Sequence, residues 1–331
     1  MLSERWKFSR QSEMNSHKLQ ATSCKLKCGL IIPTLNAGKI FSTLLEQIAA
    51  QDLPLKKLIA DSESTDETVT LAKKFGFDVL NVRRKNFNHG ATRQLALEHL
   101  LEKFSIDVII FLTQDVLLYD EKTLSTLTKI FCEDETVGLA YGRQLPHKNA
   151  TLEVKILRQF NYPAESQLRS FDDRKIFGLK AAFNSNSFAA YRVDALKKIG
   201  GFPSNVILCE DMYTAAKMLL DGWKIFYDAS AQVYHSHNYT AAQEFHRYFD
   251  IGVFHSRESW IRETFGSAES AGKKFVLMKL KTLLKENPLE FFGAICRDGA
   301  KFFGYRLGRL ENFFPRSFCR MLAMDSNYFR Q

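Results

Sequence analysis

Apolar positions in the first third of the chain alternate between two rhythms. Short unbroken apolar runs read as strands buried on both faces: Cys28-Gly-Leu-Ile-Ile-Pro-Thr34, Leu55 to Ala60, Phe77 to Val82, and Val108 to Leu112. Between them apolar residues recur at helical spacing, first at Ile40, Leu44, Leu45 and Ile48, then at Val69, Leu71, Ala72 and Phe75. A further helix carrying Arg93 is predicted from about Ala91 to Glu102. Strand, helix, strand, helix, strand predicts a parallel, doubly wound α/β sheet with right-handed crossovers. Beyond residue 112 the rhythm loosens. Helices are predicted near 121–132 and over Cys209–Asp221, and strands over Val137–Gly142, Ser187–Arg192, Trp223–Tyr227 and Gln232–His235. Residues 143–179 form a polar, aromatic stretch, and the chain from Thr240 onward reads mostly as helix. Residues 1–25 are polar and without period, so a loose arm is expected there.

Four loops follow predicted strands at one edge of this sheet, where open α/β folds bind ligands. They are Pro33-Thr-Leu-Asn36, Asp61-Ser-Glu-Ser-Thr-Asp66, Asn88-His-Gly-Ala-Thr-Arg93 and Thr113-Gln-Asp115. Together they supply carboxylates, hydroxyls, a glycine for close backbone approach (Gly90) and a fixed cation (Arg93). That inventory suits a nucleotide diphosphate. A carboxylate accepts from a base or ribose, an arginine takes phosphate in a fork, and Asp115 can hold a divalent ion. The absence of Gly-x-Gly-x-x-Gly and of Gly-Lys-Ser/Thr speaks against dinucleotide and P-loop folds. Asp66 can also cap the helix that follows it. Glu210 and Asp211 begin a helix. Mutual repulsion raises one of two adjacent carboxyls while the helix N-terminus lowers it, and the sequence leaves that balance open. His235 and His237 stand two apart on a strand and face the same way. Arg143 and Gln144 end a strand. The next helix carries His246, Arg247 and Asp250.

Composition narrows the class. The 331 residues are 45% apolar and 25% charged, ordinary for a globular chain. No apolar run reaches the ~18 residues of a membrane span, and the N-terminus lacks a signal-peptide core, so a cytoplasmic location is expected. Six scattered cysteines (24, 28, 132, 209, 296, 319) are expected as free thiols. The net charge of +9 is uneven: from Lys273 on, twelve Lys/Arg face five Asp/Glu, and the central part of the chain is close to neutral. A neutral centre argues against nucleic acid. The basic tail interleaved with Phe and Leu suits an anionic surface, so peripheral contact with the cytoplasmic face of a membrane is expected.

Ile32-Pro-Thr-Leu-Asn36, Ala60-Asp-Ser-Glu-Ser-Thr-Asp-Glu-Thr68, Thr113-Gln-Asp115, Gly200-Gly-Phe202 and Glu210-Asp211 resemble the family 2 glycosyltransferases of the GT-A fold. Phe87-Asn-His-Gly-Ala-Thr-Arg93, Tyr141-Gly-Arg-Gln-Leu-Pro146 and Val233-Tyr-His-Ser-His-Asn-Tyr239 are similar to the bacterial rhamnosyltransferase branch. The resemblance spans about residues 28–255. It implies a mostly parallel sheet flanked by helices over 26–262, with a helical extension over 263–331. It implies inverting transfer from a nucleotide sugar, dTDP-L-rhamnose, to a saccharide or lipid-linked saccharide of a surface polysaccharide. Asp61 would contact the base, with Thr34 and Asn36 nearby. Asp66, His89, Gly90 and Gln114 would line the donor, Arg93 would meet the diphosphate, Arg143 and Gln144 would lie near the sugar or acceptor, and His246, Arg247 and Asp250 would line the acceptor cleft. Asp115 would bind Mg²⁺ or Mn²⁺, with His235 or His237 completing the site, and imidazole would favour Mn²⁺ somewhat. Asp211 would be the general base beside Glu210. The chain departs from the usual Asp-x-Asp at Thr113, which keeps a catalytically inactive relative among the alternatives. A sugar nucleotidyltransferase is another, although Leu35-Asn-Ala-Gly38 offers no basic Gly-rich loop.

Overall fold

A computed structural model describes residues 25–266 and 269–330. Its single nine-stranded sheet comprises β1 (Cys28–Thr34), β2 (Leu55–Asp61), β3 (Asp78–Asn81), β4 (Val108–Leu112), β5 (Leu117–Leu118), β6 (Val137–Leu145), β7 (Gln167–Arg169), β8 (Phe188–Arg192) and β9 (Lys224–Tyr234). The order is β3-β2-β1-β4-β8-β6-β9-β5, with β7 also paired to β9. The first four strands of that order are parallel, connected by α1 (Lys39–Ala49), α2 (Thr68–Lys74) and α3 (His89–Lys103). This is the expected doubly wound half. Beyond β4 the sheet is mixed: β8 runs antiparallel to β4 and to β6, whereas β9 runs parallel to β6.

Strand alternation divides the core. Ile31, Leu58, Ile109 and Phe111 pack on one face, Leu30, Ile32, Ile59 and Ile110 on the other. All five β4 residues are buried, the reason its sequence runs apolar without a break. The two short strands expected at 223–227 and 232–235 are one strand, β9. Its partner register jumps from Gly142–Asp228 to Arg143–Gln232, a bulge of small and polar residues that looks like a break in sequence. Gly142 is required opposite it, since a Cβ there would lie 2.2 Å from the Phe188 ring and 2.7 Å from the Ala231 carbonyl oxygen. The stretch 143–179 hides β7 and α4 (Leu152–Asn161), whose first turn is capped when the Thr151 hydroxyl accepts from the Val154 N–H at 3.4 Å. The cysteine expectation needs one correction: Cys132 is in a disulfide, while Cys28, Cys209, Cys296 and Cys319 are free thiols. Cys24, and all of the expected arm over residues 1–25 except Lys25, lie outside the described residues.

The later helices are α5 (Glu210–Leu220), α6 (Ala241–Arg257), α7 (Glu269–Glu286) and α8 (Pro288–Gly308). The C-terminal segment is built onto the rest of the chain. Lys279, 1% exposed, is gripped by Glu153 at 2.7 Å and Asp298 at 2.6 Å, and Arg297 also reaches Glu153 at 2.6 Å. Lys301 meets Glu244 of α6 at 3.2 Å. Helices α6 and α8 touch backbone to backbone through glycines. A Cβ on Gly304 would sit 2.3 Å from the Phe245 carbonyl oxygen, and one on Gly308 would sit 2.0 Å from that of Phe249. Among the described residues no helix is long and apolar enough to cross a membrane. The expected consequence of this contact is that Gly308→Ala pries α8 from α6 and lowers unfolding stability by about 1–3 kcal/mol. Urea titration checks it, and an unchanged midpoint would show that the two helices do not depend on one another.

Candidate active site

The β1 and β2 loops are held by their own polar side chains. Asp61, 2% exposed, accepts from the Thr34 hydroxyl at 2.9 Å, the Ser64 hydroxyl at 2.6 Å and the Ser64 N–H at 2.9 Å. A carboxylate has about four lone-pair positions, so one acceptor position remains. Asn36 accepts from the Thr65 N–H at 2.8 Å, and Asp66 accepts from Thr68 at 3.0 Å and from Gly38 at 3.3 Å. Gln114 takes both backbone groups of Leu35, accepting its N–H at 2.8 Å and donating to its carbonyl at 3.1 Å. The structure therefore turns Asn36, Asp66 and Gln114 toward the loop backbones, which they shape. Among the described residues three non-glycines have left-handed backbone: Asn36 and Glu63 in these loops, and Cys209 just before the helix that begins at Glu210. Such conformations persist where the surroundings enforce them, and they gather at functional sites.

At the end of β4, Asp115 faces both histidines. One carboxylate oxygen lies 3.5 Å from His235 Nε2 and the other 3.3 Å from His237 Nε2, and the three ligand atoms lie within 4.8 Å of one another. Burial raises the Asp115 carboxyl, but at the acid pH where it titrates the protonated histidines, together with the Thr113 hydroxyl, outweigh burial and hold the group well below the usual carboxylate range. Burial lowers both imidazoles, His237 to about 4, so both are neutral near pH 7. His235 Nδ1 lies 2.9 Å from Gln144 Oε1, which also accepts from Arg158 at 2.5 Å. That oxygen can only accept from the imidazole, so Nδ1 carries the proton and the Nε2 lone pair points at Asp115. A neutral, oriented imidazole beside an ionised carboxylate fits a divalent cation. Gln144, expected near the sugar, instead lies 1% exposed behind His235. Arg143 is half-buried in β6.

Two guanidinium groups flank this cluster. Arg158 reaches it through Gln144 and rests over the Tyr162 ring at 5.6 Å. Arg247 sits over the Tyr239 ring at 5.9 Å, and that ring stacks on His237 at 5.1 Å. Neither arginine has a carboxylate within salt-bridge distance among the described residues. Of the other α6 candidates, His246 contacts the Leu322 carbonyl at 2.7 Å and Asp250 accepts from Met324 and Asp325, so both fasten the C-terminal segment.

The loop at 88–93 serves the far side of the site. A Cβ on Gly90 would lie 1.9 Å from the Pro203 carbonyl oxygen, so this glycine admits the 202–210 segment, where sequence placed a ligand. Arg93, 3% exposed, pairs with Glu210 at 3.0 Å, donates to the His89 carbonyl at 2.9 Å and lies over the Phe111 ring. The cation assigned to the diphosphate is thus committed to Glu210. His89 lies edge-on to Phe87 beside this pair, and burial lowers its imidazole. Asn186 donates to Glu210 at 2.9 Å and accepts from the Tyr191 hydroxyl at 2.5 Å. Burial raises the Glu210 carboxyl, yet Arg93, His89 and Asn186 outweigh it and keep it ionised. Asp211 has no such partner. Burial and then the Glu210 charge push it up to about 7, against the Met212 N–H that donates to it at 2.7 Å. An acid poised at that value matches a general base working near neutrality.

The glycosyl transferase family 2 profile matches residues 30–200. The O-antigen chain rhamnosyltransferase RfbN of Salmonella typhimurium strain LT2 is 44% identical over 305 residues, covering 92% of this chain and 96% of that protein. The O-antigen chain rhamnosyltransferase WbaN of Salmonella anatum is 41% identical over 304 residues, covering 90% and 94%. Among solved structures, the mannosyltransferase PcManGT from Pyrobaculum calidifontis, in complex with GDP-Man and Mn²⁺, superposes with a TM-score of 0.55 at 17% identity, covering 99% of this chain and 92% of that one. S. aureus TarS 1-349 in complex with UDP-GlcNAc gives 0.55 at 18% identity, covering 92% and 87%. The fold is that of the GT-A transferases, and the protein is a glycosyltransferase. The chain belongs to glycosyl transferase family 2, which sets the nucleotidyltransferase alternative aside.

The ionisation of Asp211 sets the expected pH dependence. The base must be charged, so kcat/KM rises with pH through about 7 and levels above it. Glu210→Gln removes the neighbouring negative charge and moves this limb to lower pH. Steady-state kinetics across pH check both, and a wild-type limb near pH 4, or one unmoved by Glu210→Gln, would contradict the assignment.

Proposed function

We propose that the protein is an inverting rhamnosyltransferase that moves L-rhamnose from dTDP-L-rhamnose to a hydroxyl of a lipid-linked saccharide during surface polysaccharide assembly. The observation that carries this reading is Asp211, a carboxylate with a raised pKa whose charge reaches Tyr162, the ring on which Arg158, flanking the neutral-histidine and aspartate cluster, rests. The rhamnosyl specificity rests on the likeness to the two O-antigen chain rhamnosyltransferases over nearly their full length. The reaction is placed in the cytoplasm, at the membrane surface where such an acceptor lies.

Asp61 offers its remaining acceptor position to the base, with Thr34 fixing that carboxylate. The acceptor oxygen attacks the anomeric carbon, its proton passes to Asp211, and the bond from that carbon to the diphosphate breaks, releasing dTDP. Arg93 and Glu210 position Asp211 and set its charge. Arg247 and Arg158 take the diphosphate contact that sequence gave to Arg93, being the guanidiniums beside the cluster without a carboxylate partner. Asp115, His235 and His237 would hold Mg²⁺ or Mn²⁺, whose chemistry when bound is to neutralise charge on the departing diphosphate. The imidazoles tilt the choice toward Mn²⁺.

A panel of nucleotide sugars with a lipid-linked saccharide acceptor tests the reading. Rhamnosyl transfer from dTDP-L-rhamnose should exceed every other donor. Asp211→Asn should cut kcat at least about 100-fold with dTDP affinity kept. Arg247→Ala should weaken dTDP far more than dTMP, because only the former carries the second phosphate. Preference for another donor would overturn the substrate assignment, and near wild-type transfer by Asp211→Asn would overturn the base.

A further inference from the structure

Large apolar side chains left in solvent are unevenly distributed. Of the seventeen that lie exposed among the described residues, thirteen fall between Leu277 and Met324. On α8 they form one stripe at helical spacing: Leu289 at 92% exposure, Phe292 at 72%, then Ile295, Phe302 and Phe303. The opposite side of the same helix holds Ala294, Gly304 and Gly308, buried against α6 and the rest of the chain. Helix α7 repeats the pattern, with Leu277 and Leu284 exposed while Lys279 and Leu283 are buried. Phe313, 81% exposed, continues the surface beyond α8. A monomer rarely leaves so much contiguous apolar surface without a partner for it.

Charge identifies the partner. The acids of this region are turned inward: Asp298 holds Lys279, Glu311 holds Arg257 at 2.9 Å, and Glu290 accepts from the Asn287 amide at 2.8 Å. Five bases, Lys281, Lys285, Arg306, Arg316 and Arg320, are exposed among the apolar side chains, against the single exposed acid Glu286. Phenylalanine and leucine interspersed with lysine and arginine match an anionic lipid surface. A second copy of the chain would bring the same five cations against themselves, which opposes pairing through this face.

We infer that α7, α8 and the segment to Met324 form a monotopic docking face for an anionic lipid bilayer. The inference rests on the reading that the acceptor is lipid-linked, and it names the surface that meets the membrane. Because α8 is packed glycine to backbone on α6, the helix that carries Arg247, docking this face would hold the catalytic region at a fixed distance from the bilayer.

Flotation of the full chain with phosphatidylglycerol-containing vesicles and with pure phosphatidylcholine vesicles tests this without any sugar donor. A failed donor assignment therefore leaves the result standing. The protein should float with the anionic vesicles only. Lys281→Gln, Lys285→Gln and Arg306→Gln together should weaken that binding about a hundredfold, at about fivefold per cation. Phe292→Ser with Phe303→Ser should abolish it while dTDP binding, measured on the same variant, stays unchanged and shows that the fold is kept. Failure of the wild type to float, flotation indifferent to these variants, or a concentration-dependent dimer broken by the Phe292/Phe303 variant would overturn the proposal.

Discussion

The arrangement depends on one buried ion pair. Arg93 and Glu210 meet at 3.0 Å with side chains 4% and 5% exposed. Removing two charges from water is costly, and a pair of this kind persists only when its remaining donors and acceptors are also met. Here Arg93 also donates to the His89 carbonyl and lies over Phe111, and Glu210 also accepts from Asn186. The pair thereby joins the second turn of α3 to the first residue of α5. Asp211 is the next residue along, inherits the field of an ionised neighbour, and has no cation of its own.

The opposite side of the site is built by indirect support. His235 is oriented by Gln144, and Gln144 by Arg158. Arg158 lies on Tyr162, whose hydroxyl is influenced by Asp211. A run of contacts therefore leads from the candidate metal cluster to Tyr162, which feels the charge of Asp211. The loops after β1 and β2 are likewise held by Asn36, Asp66 and Gln114, residues that bind backbone. Polar residues in this enzyme divide between those left open to a substrate and those that keep the first group in place.

Much of this was legible in the sequence. The parallel half of the sheet could be read because β1, β2 and β4 are buried on both faces and run apolar without interruption. The antiparallel pairings could not, since β8 inserts between β4 and β6 from far along the chain, and β5 and β7 are only two and three residues long. The bulge after Asp228 split β9 in the reading because its small and polar residues resemble a turn. Asp115 is legible as a carboxylate at the end of a buried strand, His235 and His237 as two imidazoles on one face, and Glu210-Asp211 as juxtaposed acids, while the metal role of the first three and the role of Asp211 come from the family resemblance. Which acid would be neutralised was undecidable without Arg93. Sequence shows that a cation is present at position 93, and only the fold shows that it meets Glu210, while Arg158 lies in a stretch without a predicted element. Asn186 carried no signal beyond its place before a predicted strand.

The central claim is that Asp211 is held part-protonated near neutrality by burial and by an ionised Glu210. Infrared difference titration of the carboxyl stretch, wild type against Asp211→Asn, measures this directly. The account predicts a carboxylic acid band that titrates near pH 7 and is absent from the variant. A spectrum in which the only difference titrates in the ordinary aspartate range, near pH 4, would contradict it.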